Sequence, residues 1–129
     1  MYGFSVSLAG NMGEVRARVA EELKKEGFGV LTEIDVAATL KAKLDIDRRP
    51  YRILGACNPA LAHRALEKDP DIGLLLPCNV VVREEEDGSV TVAFMDPESI
   101  LGLVESDDVE VLAREVRARL ERVRTALIG

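Results

Sequence analysis

The chain has 129 residues, of which 47% are hydrophobic, 31% charged and 4% aromatic, with no tryptophan and a net charge of −6. These values fit one self-sufficient domain over residues 1–129 and exclude a disordered chain. They also disfavour nucleic acid as a partner, because phosphate tracking needs clustered positive charge and single strands need aromatic stacking platforms.

In chain order, Phe4, Val6 and Leu8 alternate with Ser5 and Ser7, which predicts a half-buried strand over 4–8. Gly10-Asn11-Met12-Gly13 breaks it. A helix is expected over 12–26, with Val15, Val19, Ala20 and Leu23 on one face and Gly27 as its C-terminal cap. Phe28 to Glu33 reads as a second strand. Asp35 is placed to cap a short helix carrying Val36, Leu40 and Leu44, and Asp45 to Pro50 reads as a charged turn region.

Tyr51 to Ala56 is the third predicted strand. Asn58-Pro59 opens a helix, since Asn is a favoured N-cap and the N–H missing from Pro would be unpaired at the first helical position anyway. That helix runs through Leu61, Ala62, Ala65 and Leu66 and is closed by Asp69-Pro70. Leu74 to Glu84 is a long apolar run in which Pro77 should mark the start of the strand proper or a bulge. Asp87-Gly88 is a hairpin turn, Val90 to Met95 the return strand, and Pro97 to Leu103 one helical turn. Ser106 caps the longest helix, over 106–128. Its apolar stripe is Val109, Leu112, Val116, Leu120, Val123 and Leu127. Its arginines alternate with glutamates, which reads as a salt-bridged surface.

This order predicts an α+β fold with a largely antiparallel sheet whose two long helices, 12–26 and 106–128, cover one face. A parallel sheet is the alternative, with the helix at 59–68 as a right-handed crossover. No signal-peptide pattern opens the sequence, and no run approaches the ~18 apolar residues of a membrane span. The expectation is therefore a cytoplasmic protein with reduced thiols and no membrane partner. Arginine far outnumbers lysine, which fits a thermophile or a GC-rich genome.

The pair Cys-Asn occurs twice, at Cys57-Asn58 and Cys78-Asn79, and these are the only two cysteines. The segments that carry the pairs, Tyr51-Arg52-Ile53-Leu54-Gly55-Ala56-Cys57-Asn58-Pro59 and Gly73-Leu74-Leu75-Leu76-Pro77-Cys78-Asn79-Val80-Val81-Val82, resemble the prokaryotic domain-of-unknown-function family numbered 302. The resemblance takes in Gly27-Phe28, Glu33-Ile34-Asp35, the helix near Leu40 and Asp96-Pro97, nearly the whole chain. It implies a β-α-β4-α arrangement like that of TATA-binding-protein half domains, and a homodimer, but no particular function.

If the strands ending at Cys57 and starting at Cys78 are antiparallel neighbours, the two Cys-Asn pairs meet at one edge of the sheet. If they are parallel, the pairs lie at opposite ends. Under the antiparallel reading Cys57 and Cys78 are small buried hydrophobes, a shared thiol or ligand site, or a disulfide. The dipole of the helix starting at Pro59 would lower the thiol pKa of Cys57. Asn58 has a capping role. Asn79 has none, so it either finds an internal partner or offers its amide to a ligand.

His63, the only histidine, is expected to face solvent, and its spacing to the cysteines matches no zinc pattern. Glu84 to Asp87 reads as a solvated hairpin tip, while Gly55 and Gly73 would permit close packing. No catalytic residue, cofactor or metal site is identified. The expected function is a small non-enzymatic binding or interaction domain, dimeric, with Cys57, Asn58, Cys78 and Asn79 as the candidate ligand or thiol site. The strand at 4–8 is a candidate dimer edge. The alternative is a thiol-based redox or sulfur-handling protein using Cys57 and Cys78.

Overall fold

Alternation of apolar and polar residues forms a sheet with one buried face, seen here in a computed structural model describing residues 1–129. The strands are β1 (Gly3–Leu8), β2 (Gly29–Asp35), β3 (Tyr51–Cys57), β4 (Cys78–Glu84) and β5 (Val90–Met95). The sheet order is β1-β5-β4-β3-β2, with every neighbour antiparallel, so the parallel alternative is excluded. The β1 strand is an edge, as its half-polar pattern suggested.

The helices are α1 (Met12–Lys25), α2 (Val36–Leu44), α3 (Pro59–Lys68), α4 (Pro97–Leu101) and α5 (Asp107–Ile128). The long helices α1 and α5 share one core with a single face of the sheet, which gives the β-α-β4-α plan of an α+β fold. Caps set their starts: Asn11, Asp35, Asn58, Asp96 and Ser106 each accept a backbone N–H from the first turn of the following helix. Gly27, at φ +87°, follows α1 in the left-handed conformation that glycine adopts without a Cβ penalty.

The core joins Val15, Val19 and Leu23 of α1 and Val116, Leu120, Val123 and Leu127 of α5 to Leu54, Val80, Val82, Val92 and Phe94 of the sheet. Each such side chain contributes roughly 1.5–3 kcal/mol through burial. No helix is long and apolar enough to cross a membrane.

Pro77 marks the start of the strand proper, as its missing N–H suggested: β4 begins at Cys78, and before it Pro70–Leu75 is a 3₁₀ turn capped by Asp69. Asp69 and Pro70 nucleate the turn, and Pro77 has no N–H to extend a ladder backwards. The helix α2 forms as expected, but none of its residues is buried, and Leu44 is exposed. It bridges β2 and β3 beyond the reach of the core.

The charges of α5 do more than pair along its surface. Glu110–Arg114 and Glu115–Arg119 do pair, at 3.2 and 3.4 Å. Arg117, however, reaches Asp96 at 2.6 Å and lies 4.7 Å from the centre of the Phe4 ring. Arg124 lies 5.3 Å from the same ring, which stacks on Phe94. Burial opposes ionisation of Asp96. Hydrogen bonds from the Glu98 N–H, Arg117 and Ser99 outweigh that, so its pKa lies below the usual carboxylate range. A hydrogen bond from Arg16 chiefly lowers the pKa of Glu33, against burial and with help from Arg52.

Asp96 and Glu33 therefore bind fewer protons folded than unfolded, where their pKa values are about 3.9 and 4.3. Their contribution is complete above about pH 5 and is lost as the pH falls through the unfolded and then the folded values. Urea denaturation should show a lower midpoint at about pH 3 than at about pH 6. Asp96→Asn should reduce stability at neutral pH by about 1–3 kcal/mol and flatten that acid dependence. An unchanged midpoint would remove Asp96 from this role.

Candidate functional site

Cys57-Asn58 ends β3 and Cys78-Asn79 begins β4, and the register pairs Ala56 with Cys78 and Gly55 with Asn79. The two Cys-Asn pairs thus lie at one end of the sheet. Neighbouring residues in a strand face opposite sides. Cys78 accordingly enters the helix-covered core, where it is 6% exposed, whereas Asn79 is exposed on the uncovered face. Asn79 makes no side-chain hydrogen bond within the chain; the partner it would need if buried is not required here.

Both cysteines are free, and both line an apolar cavity of about 40 Å³ with Phe28, Leu61, Leu76 and Leu112. Burial pushes the Cys57 thiol up, and pushes Cys78 up to about 12, with a smaller contribution from Cys57. For Cys57 this direction is opposite to the depression expected from the dipole of α3. Thiolate chemistry needs an electropositive, partly exposed sulfur, and an apolar wall supplies neither condition at Cys78.

Asn58 is a structural cap. Its Oδ1 accepts the Leu61 N–H at 3.2 Å, and its Nδ2 lies against Gly27, where an added Cβ would approach to 2.8 Å. Gly55 serves close packing: a Cβ there would meet Thr32 Oγ1 at 2.2 Å and the Pro77 ring at 2.9 Å. Gly73 differs from expectation, because open space surrounds it in the 3₁₀ turn. His63 is exposed on α3 and paired with Glu67 at 2.8 Å. In the acidic run, Asp87 closes the hairpin by accepting both the N–H and hydroxyl of Ser89.

The uncovered face holds what the paired motifs did not indicate. Around Asn79 lies an open concavity of about 650 Å³. Its floor includes Val81 and Ala93, which are cross-strand partners. Leu74, Leu75 and Pro77 line it from the connection into β4, Met1 and Tyr2 from the segment just before β1, and Ile100 from α4. Tyr2 and Leu74 are exposed. The only charged side chain lining it is that of Arg83. The signal was present in the sequence: Asn79, Val81 and Arg83 share one parity in β4, opposite to Cys78, Val80 and Val82.

The sequence profile of the family described as Domain of unknown function DUF302 matches residues 4–127. A crystal structure titled as an uncharacterized conserved protein DUF302 from Bacillus stearothermophilus superimposes with a TM-score of 0.90. It is 31% identical, and the match covers 98% of each chain. An uncharacterized protein of Aquifex aeolicus (strain VF5) is 32% identical over 53 residues, 40% of this chain and 37% of that protein.

In native protein near neutral pH, Cys57 should be alkylated slowly and Cys78 only after denaturant is added; fast labelling of both would contradict their burial. Gly55→Ala should destabilise the fold by about 1–3 kcal/mol through overpacking against Thr32 and Pro77, read as a lower urea midpoint.

Proposed function

The chain belongs to the DUF302 family, and from that premise we propose that it is a non-enzymatic binding domain whose site is the open face of the sheet around Asn79. One observation carries this reading. Asn79 stands exposed, without an internal partner, within a largely apolar concavity of about 650 Å³. Ligand sites are characteristically concave, apolar and furnished with a few polar groups that fix orientation.

Exposed apolar surface that is contiguous, not scattered, marks a place of contact. Here Met1, Tyr2 and Leu74 are exposed around one depression. The Cys-Asn pairs enter this reading unequally. Asn79 belongs to the site, Cys78 and Asn58 hold its underside and edge in place, and Cys57 supports the same end of the sheet.

The neutral fluorophore Nile red tests the proposal without reference to ligand charge. Its emission should rise with the wild-type protein. Val81→Lys should abolish the rise, because a cation placed in mid-floor opposes apolar binding, while Val81 is only half-buried and the fold tolerates the change. Retention of the full signal by a folded Val81→Lys variant would remove the open face as the site.

A further inference from the structure

We propose that the ligand of this face is an amphipathic anion, a carboxylate with an unbranched apolar body, whose head group is held by Arg83 and whose body lies along β4 toward Asn79. The inference rests on the binding reading above and names the ligand class. Its ground is charge complementarity in a protein that is otherwise acidic. The chain carries a net charge of −6, yet the one charged side chain that lines the concavity is cationic. A general anion would be repelled by most of this surface and drawn to this point.

The geometry of β4 sets the ligand's shape. Asn79, Val81 and Arg83 project from the same face of one strand. At about 3.3 Å per residue, the first and last of them are roughly 13 Å apart. The strip between them is floored by Val81 and Ala93 and bordered by Leu75. A linear apolar body fits the length of that strip, and a polar one would leave apolar surface wet.

Arg83 is partly exposed and is paired with Glu85 through Nη1 alone. Its Nε and Nη2 remain open to a carboxylate, which guanidinium groups bind with two parallel hydrogen bonds. Glu85 is thus a competitor for the same cation. A carboxylate on Nε and Nη2 shares the guanidinium with Glu85 on Nη1, whose charge weakens the attraction for the ligand.

Three probes of one chain length, decanoate, decanol and decylammonium, should be titrated below their aggregation limits and followed by amide chemical shifts. Decanoate should bind at Asn79, Val81 and Ala93 at least about tenfold more tightly than decanol, the gain expected of a charge-assisted hydrogen bond. Decylammonium should bind more weakly than either. Arg83→Gln should erase the preference of decanoate over decanol, and Glu85→Gln should strengthen decanoate binding. Equal affinity for decanoate and decanol at this face, or a preference that survives in Arg83→Gln, overturns the anion assignment and leaves the binding site standing. Shifts absent from the face with all three probes overturn both.

Discussion

Asp96 ties together the parts on which the open face depends. Its backbone N–H donates to the Tyr2 carbonyl at 2.9 Å, which locks the start of β1 to the end of β5. Its side chain accepts the Glu98 N–H and so begins α4. The same carboxylate accepts from Arg117 in the middle of α5, and shares the single hydroxyl proton of Ser99 with the Met1 carbonyl. One buried carboxylate therefore joins β1, β5, α4 and α5. Leaving it without those donors would cost the desolvation of a charge, and that asymmetry makes the junction cooperative. Tyr2 and Ile100, on either side of it in the chain, form one border of the concavity.

The second constraint is the period of two in a strand. With α1 and α5 on one face only, each strand must sort its side chains into a dry set and a wet set. Strand β4 shows this most clearly. Cys78, Val80 and Val82 enter the core, and Asn79, Val81 and Arg83 go to the other side. The same rule separates the members of the Cys-Asn pair at 78–79 completely. One belongs to packing and the other to the surface, although they are adjacent in the chain.

Much of this could be read from the residues. The caps Asn11, Asp35, Asn58, Asp96 and Ser106 are local signals, because the side chain serves an N–H two or three residues away. The stripe of α5 and the hairpin at Asp87-Gly88 are equally local. What the residues could not show depends on distance along the chain. Arg117 looks like one of several surface arginines until Asp96, 21 positions earlier, is brought beside it. Leu74 and Leu75 are apolar but precede the strand that starts after Pro77, and the turn begun by Asp69-Pro70 leaves open space around Gly73 where close packing was expected. The repeated Cys-Asn lies at one end of the concavity, but the face itself, built from four separated segments, has no signature in any one of them.

These constraints bear differently on the two chemistries that the doubled motif suggested. Reactive thiols need a thiolate that solvent or a nearby cation can stabilise. Cys78 lies among Phe28, Leu61, Leu112 and Val116, which supply dispersion contacts and exclude water. The cavity beside the sulfurs, at about 40 Å³, is too small for a substrate and is apolar. The opposite face has the complementary properties: space, an unpartnered amide and a cation open to solvent. The fold seals one end of β4 around sulfur and opens its other side around Asn79 and Arg83. Cys78 packs the strand from beneath, and the polar groups on the open side are the amide and the guanidinium above it.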